Sequence, residues 1–254
     1  MKRLLLFLLT LNFIYTSVAQ TNDTLVKKDS IPLGKNYLKF NKKQLIIPTI
    51  LIAYGVIGLE NGQIKAFNKS INQGFNKNEN NSIRIDDYLQ YTPILATYGL
   101  ELFGVRGKNN FKDKTIILGT SYILMGITVN VLKRTTCELR PDKSKLNSFP
   151  SGHTATAFMA AEFMYQEYKD QSIWYGVSGY VIASTVGVLR MYNNRHWFTD
   201  VVAGAGIGIL STKAAYWLAP KINKMFTKNN SNSSAVLLPF YDGKNAGIGF
   251  VSTF

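Results

Sequence analysis

The apolar residues of this 254-residue chain fall into six separate stretches, with polar sequence before, between and after them. Such stretches are typical of helices buried in a core or in a membrane, and a full membrane span needs about 20 residues. Several stretches are shorter, so a soluble domain with buried helices is the alternative. The stretches are Gln44–Leu59, Tyr88–Val105, Thr115–Leu132, His153–Tyr168, Ile173–Leu189 and Val201–Ala219.

Small residues are concentrated in the last two stretches. Gly204, Gly206 and Gly208 recur at every second position, and the fifth stretch is rich in Gly, Ala, Ser and Val. Small side chains allow helices to approach closely inside a membrane. The pattern therefore predicts an all-α, multi-helix, membrane-embedded bundle.

The two ends of the chain differ from this core. Residues 1–19 have the pattern of a signal peptide, with a charged start, a short apolar run and a small-residue cleavage site, so Gln20 would be the new N-terminus. An uncleaved anchor is the alternative. Residues 20–87 are predicted to be a linker, a short apolar helix and a loop or short surface helix, and residues 88–219 the helical core.

The tail, residues 220–254, is predicted to carry a small β-hairpin. Ala235–Phe240 and Ala246–Phe254 are compatible with two short strands, and Asp242-Gly243 is a turn sequence between them. A single hairpin cannot form a barrel, so we expect it to be an accessory to the helices.

The net charge of the chain indicates which kind of molecule it binds. The net charge is +14 and the pI about 9.7, which favours anionic partners. No nucleic-acid motif is present and the basic residues lie in loops between apolar stretches, so we expect lipid or phosphate rather than nucleic acid. Cys137 is the only cysteine, which excludes an intrachain disulfide. No protein partner can be inferred.

Three polar blocks between residues 133 and 200 carry the candidate chemistry, and each lies at the end of an apolar stretch. Consecutive helices that alternate in direction would bring these ends to one face. The blocks contain three cations that can hold phosphate oxygens, Lys133, Arg140 and Arg190. Ser151 and Gly152 precede a helix, where backbone N–H groups favour an anion.

The only two histidines of the chain lie in these blocks. His196 and Asp200 are spaced i, i+4, so on a helix the carboxylate could hold one imidazole nitrogen and leave the other free to attack phosphorus. His153 is then the natural general acid for the leaving oxygen. Two histidines and an aspartate could also bind zinc, but the three cations oppose a dication. We therefore expect no metal and no cofactor.

These blocks resemble the motifs of the type 2 phosphatidic acid phosphatase (PAP2) superfamily, which includes bacterial acid phosphatases and vanadium haloperoxidases. Lys133 to Arg140-Pro141 matches the first motif and Pro150-Ser-Gly-His153 the second. Arg190, His196 and Asp200 match the third, but Leu189 stands where the family usually has Ser, which puts substrate contacts in doubt.

The resemblance implies a helical bundle that dephosphorylates a membrane lipid phosphate or diphosphate. It also implies a phosphohistidine on His196, oriented by Asp200, with His153 as acid and then base. Phosphatidic acid, undecaprenyl diphosphate and lipid A are the expected kinds of substrate, and the sequence does not choose among them. The alternatives are a vanadium-dependent haloperoxidase, a soluble periplasmic acid phosphatase and a non-catalytic lipid-phosphate binder.

The distribution of basic loops predicts which side of the membrane the motifs face. Four basic residues and one acidic residue lie between Val105 and Thr115, and Lys221, Lys224 and Lys228 follow the last stretch. Both regions lie opposite the motifs, so the positive-inside rule predicts an active site facing the periplasm from a bacterial inner membrane. A cleaved signal followed by a spanning Gln44–Leu59 would reverse this. We therefore expect that segment to lie along the membrane or to pack against the bundle without crossing.

Overall fold

The computed structural model describes residues 40–75, 84–228, 234–241 and 246–253, and side chains up to residue 224. The predicted signal peptide and the Asp242-Gly243 turn lie outside the described residues. The helices are α1 (Lys43–Ile57), α2 (Gly62–Phe75), α3 (Asp86–Leu89), α4 (Thr92–Leu102), α5 (Phe111–Thr136), α6 (Gly152–Tyr168), α7 (Ile173–Tyr192) and α8 (Phe198–Lys228), and the strands are β1 (Ser234–Tyr241) and β2 (Ala246–Thr253).

The all-helical core is confirmed. Every predicted apolar stretch coincides with helix, and α3 and α4 together form the second stretch. The region 60–88, for which a loop or a short surface helix was expected, contains the 14-residue helix α2. The strands β1 and β2 pair antiparallel, Ser234 opposite Thr253 and Tyr241 opposite Ala246. Their side chains and the turn between them are outside the described part, so the C-terminal hairpin and its accessory role stay predictions.

Local signals fix where the helices begin and end. The Asn110 side chain caps α5 by accepting from the Asp113 N–H at 2.8 Å, and Ser172 caps α7 through the Trp174 N–H at 3.3 Å. Helix α5 ends where Cys137 adopts a left-handed conformation with φ 48°, which stops further helical hydrogen bonding. These boundaries place the motif residues at helix ends.

Helix α6 lies at the centre of the bundle and is in close contact with α8. A Cβ built on Gly204 would lie 2.6 Å from the Ser151 carbonyl oxygen, and one on Gly208 would lie 2.3 Å from the Ala155 carbonyl oxygen. Real Cβ atoms do not come this near, so only glycine allows the two backbones to touch. The close approach predicted for these glycines is what the structure shows.

Helix α1 packs antiparallel along α8. Its beginning meets the distal part of α8, where the Phe40 and Trp217 rings are 4.9 Å apart and Trp217 Nε1 donates to Gln44 Oε1 at 3.3 Å. Its end meets the start of α8, where a Cβ on Gly58 would touch the Thr199 side chain. The segment thus packs against the bundle, as one of the two expectations held. Its path does not agree with the expectation that it stops short of crossing, because α1 follows α8 from Trp217 to Thr199, within a helix long enough to span a membrane.

Two helices are long and apolar enough to cross a membrane within the described residues, Phe111–Thr136 and Phe198–Lys224. The pair α1 and α2, bent by 95°, would be a third if it forms one span. Large apolar side chains also face outward from α1, α5 and α7: Ile46, Ile47, Ile50, Ile123, Ile127, Val131, Val181 and Val188. A soluble monomer rarely exposes so much apolar surface, so this is a membrane protein.

The contact between α6 and α8 gives a first testable prediction. Gly208→Ala forces a methyl group against the Ala155 carbonyl oxygen, and overpacking of this kind costs about 1–3 kcal/mol, more than the roughly 1 kcal/mol that alanine gains over glycine in a helix. Thermal unfolding in detergent should show a lower midpoint for this variant.

Gly126→Ala is the matched control, because a Cβ there has no heavy atom within 4 Å. We expect this control to unfold at or above the wild-type temperature. Equal midpoints for Gly208→Ala and the wild type would show that the helices can separate without loss of stability.

Candidate active site

The candidate residues meet at one end of the bundle. Helices α5 and α7 end there with Lys133 and Arg190 in their last turns, and α6 and α8 begin there. His196 is almost completely buried, with 2% of its surface exposed. The charges close enough to act on its imidazole are those of Lys133, Arg190 and Arg140. Cations from two separate parts of the sequence, 133–140 and 190, therefore lie around His196.

The His196–Asp200 pair forms differently from the expected i, i+4 pair on a helix. Helix α8 begins only at Phe198, so His196 lies before it and Asp200 in its first turn. The Asp200 carboxylate reaches back to accept from the Trp197 N–H at 2.8 Å, while the Trp197 carbonyl accepts from the Val201 N–H. His196 Nδ1 and Asp200 Oδ2 are 3.6 Å apart, which is longer than a hydrogen bond but common in sites without substrate.

Ser148 is a further contact of this carboxylate that the sequence did not reveal. Its hydroxyl donates to Asp200 Oδ2 at 2.5 Å, and the side chain is fully buried. The same oxygen therefore receives hydrogen bonds from Ser148 and from the Trp197 backbone, which fixes the carboxylate beside His196. The only available signal was the position of Ser148 two residues before the Pro150-Ser-Gly-His block.

Ser151, which was predicted to bind phosphate, also caps a helix. It is the N-cap of α6, its hydroxyl accepting from the Thr154 N–H at 3.4 Å, and its own backbone N–H donates to the Asp200 carbonyl at 3.0 Å. Its N–H is thus engaged, and an anion at this helix start would meet the first-turn amides of Gly152 and His153, which have no partner within a helix.

The cations of the site retain unused donors. Lys133 Nζ donates to the Asn147 carbonyl at 2.7 Å. Nε of Arg140 and Nε of Arg190 are buried and have no hydrogen-bond partner among the described residues. Buried donors are normally paired, so two unpaired guanidinium nitrogens beside one histidine indicate a site built for an anion.

Two carboxylates from the region 60–88, for which a loop or a short surface helix was expected, also contact the candidate residues. Asp86 Oδ2 accepts from Arg190 Nη1 at 2.6 Å, and Asp87 Oδ1 lies 2.8 Å from His153 Nε2. Both come from α3, which lies against α6 and α7. The only sequence signal for these carboxylates was their position just before an apolar stretch in a basic chain. The pattern of apolar residues does not predict where such a polar pair lies in space.

Burial and charge hold both imidazoles toward the neutral form. The pKa of His196 lies well below its usual value, first because the ring is buried and then because Lys133, Arg190 and Arg140 repel a further positive charge. The pKa of His153 is also lowered, by burial and by Arg190, and the hydrogen bond to Asp87 opposes this. A neutral imidazole surrounded by cations can attack an electrophilic centre that carries negative oxygens.

This electrostatic arrangement predicts a low acidic limit for phosphate-ester hydrolysis. His196 must be unprotonated to attack, so kcat/KM should fall only when the pH drops through its depressed pKa, below about 6.5. Lys133→Gln removes a charge that lowers this pKa, and the acidic limb should then move to higher pH. Initial rates measured from pH 4 to 9 in detergent test both expectations.

An acidic limb at or above pH 6.5 in the wild type, or one that does not move in Lys133→Gln, would contradict the role assigned to His196. Lys169→Gln is the matched control, because Lys169 lies at the far end of α6 and caps it. Its acidic limb should coincide with that of the wild type.

The part of the chain that resembles known proteins contains the candidate site residues. Residues 114–224 match the family model described as the PAP2 superfamily. A lipid A 1-phosphatase of Porphyromonas gingivalis is 42% identical over 142 residues, which is 55% of this chain and 32% of that protein. A phosphatidylglycerophosphatase B of Bacillus subtilis is 30% identical over 131 residues, 46% of this chain and 62% of that protein.

The chain thus spans about a third of the length of the first of these relatives and less than two thirds of the second. Among solved structures, a transmembrane PAP2 type phosphatidylglycerolphosphate phosphatase from Bacillus subtilis aligns with 18% identity and a TM-score of 0.44. That alignment covers 72% of this chain and 99% of the other.

Proposed function

We propose that this protein is a member of the PAP2 superfamily, whose family model residues 114–224 match, and that it is a phosphatase that removes phosphate from a membrane lipid. The relatives are named for phosphate groups on a glycolipid and on a glycerophospholipid. Lipid A phosphate is the first substrate to examine, since the relative named for it is 42% identical over the shared region.

One observation carries this proposal. His196 is buried and held neutral, yet the charges of Lys133, Arg140 and Arg190 surround it, and Nε of both arginines has no hydrogen-bond partner among the described residues. Cations gathered around a neutral nucleophile suit an electrophile that is itself anionic, and a phosphate ester has this property. The charge of the three cations would stabilise the transition state.

The proposed reaction has two steps. His196 attacks phosphorus, the bond between phosphorus and the lipid oxygen breaks, and His153 gives that oxygen a proton. Asp200, held by Ser148 and the Trp197 N–H, stabilises the imidazole that now carries phosphate. His153 then takes a proton from water, whose oxygen attacks phosphorus, and the phosphorus–nitrogen bond breaks to release inorganic phosphate.

Phosphate release in detergent tests this function. The purified chain should release phosphate from at least one of lipid A, phosphatidic acid and undecaprenyl diphosphate. His196→Ala should abolish release, because the attacking nitrogen is lost. Its unfolding temperature and elution volume serve as controls for folding.

Gln171→Ala, at the distal end of the bundle, is the matched control and should retain wild-type release. Absence of release from all three lipids by folded wild-type protein would exclude these substrates. Release that persists in His196→Ala would exclude His196 as the nucleophile.

We also propose that the site faces the periplasm from the inner membrane. Helix α1 begins and α8 ends at the end of the bundle opposite the site, where the Phe40 and Trp217 rings are in contact. The basic loop before α5 and the lysines Lys221 and Lys224 lie at that same end, so the positive-inside rule places it in the cytoplasm. With α1 running the depth of the bundle, this orientation places residue 40 in the cytoplasm as well, whereas the signal peptide predicted for residues 1–19 would place it outside. Labelling of the two ends of the bundle distinguishes these arrangements.

The single native cysteine allows a direct test of this orientation. Cys137 is exposed just after α5, at the catalytic end. A membrane-impermeant maleimide should label it in intact spheroplasts. In a Cys137→Ser background, Lys221→Cys should be labelled only after the membrane is permeabilised. The reverse pattern would place the catalytic end in the cytoplasm.

A further inference from the structure

Helix α3 places two consecutive carboxylates on two different functional groups. Asp86 is buried, and its Oδ2 accepts from Arg190 Nη1 at 2.6 Å while Oδ1 accepts from Asn193 Nδ2 at 3.3 Å. Asp87 is half exposed, and its Oδ1 lies 2.8 Å from His153 Nε2. The first carboxylate therefore holds a phosphate-binding cation, and the second holds the candidate general acid.

We infer that Asp87 is the positioning residue of His153, fixing its ring and favouring its doubly protonated form. The inference rests on the proposed phosphatase function. An imidazole that gives one proton to a carboxylate keeps its other nitrogen for the leaving oxygen. A carboxylate at hydrogen-bond distance also stabilises the positive imidazolium over the neutral ring.

The site gives His153 a particular need for such a partner. Burial and the Arg190 guanidinium both lower the pKa of His153 and thus disfavour the form that can donate a proton. The contact with Asp87 acts in the opposite direction. The charged groups around His153 are Arg190 from α7, Asp86 and Asp87 from α3, Lys133 from α5 beside Gly152, and Asp200 from α8 beside Ser151.

Asp87 is itself held in place. Gln90 Nε2 donates to the Asp87 carbonyl at 2.9 Å, and the Asp86–Arg190 ion pair attaches α3 to the end of α7. The Asp87 backbone is therefore fixed on both sides, and its carboxylate reaches His153 without a long flexible segment. This geometry distinguishes Asp87 from a surface carboxylate that meets a histidine by chance.

Asp86, Asp87 and His153 also offer oxygen and nitrogen atoms within 4.8 Å of one another, as a divalent cation would require. However, Asp86 is already paired with the Arg190 guanidinium, whose charge opposes a dication at this position. The contacts therefore favour one ion pair, Asp86 with Arg190, and one hydrogen bond, Asp87 with His153, over a metal site.

The test compares pH profiles of kcat/KM for lipid phosphate in the full-length protein. Asp87→Asn keeps the shape but removes the charge, so the basic limb, where His153 loses its proton, should move to lower pH. Because the pair is partly exposed, the expected shift is about half a pH unit, or roughly a threefold loss on the basic side. Activity at the acidic plateau should stay within twofold of the wild type.

Asp87→Glu restores the carboxylate and should recover part of the shift. Asp170→Asn is the matched control, because Asp170 pairs only loosely with Lys108, at 4.0 Å, at the opposite end of the bundle. Its pH profile should coincide with that of the wild type.

A double variant separates positioning from a general structural effect. In His153→Ala, the change Asp87→Asn should have no further effect on kcat/KM, since the group on which it acts is gone. An Asp87→Asn profile that coincides with the wild type, or an equal loss at every pH that persists in His153→Ala, would overturn the inference. Failure of the wild type to release phosphate would instead overturn the proposed function.

Discussion

The backbone contact between α6 and α8 is the constraint on which the site depends. With glycine at positions 204 and 208, the two helices approach until only the absence of a Cβ prevents a clash. Both helices begin at the catalytic end, so this contact sets the distance between the Ser151–His153 segment and the His196–Asp200 segment. The hydrogen bond from the Ser151 N–H to the Asp200 carbonyl joins the two segments directly.

Around this contact, positive and negative side chains lie close together, and hydrogen bonds or ion pairs hold several of them in place. Three cations act on His196, and the carboxylate beside it is held by Ser148 and the Trp197 N–H. Arg190 Nη1 pairs with Asp86, and the buried Nε of Arg190 has no hydrogen-bond partner in the part of the chain that the structure describes. The cations are thereby fixed in position, so binding of the proposed phosphate substrate would require little reorganisation of them.

Much of this could be predicted from the sequence. The six apolar stretches gave the helices, and the position of the polar blocks at their ends gave the convergence of Lys133, Arg190 and His196. The contribution of α3 could not be foreseen, because the pattern of apolar residues does not show where a polar connection folds in space. The path of α1 was equally open, since the same 15 residues can lie along a membrane or run beside α8. The prediction for His196 and Asp200 was inexact because an i, i+4 spacing places two side chains on one face only when both residues are in the helix, and His196 lies before it.

The antiparallel packing of α1 on α8 has a consequence for how such a bundle can be extended. The core enters at α1 and leaves at α8 on the side away from the site, as the contact of Phe40 with Trp217 shows. Any sequence joined to either end starts its path there and does not have to pass in front of the catalytic groups. The start of α1 and the end of α8 are therefore positions at which a further domain could be attached on the side away from the candidate active site.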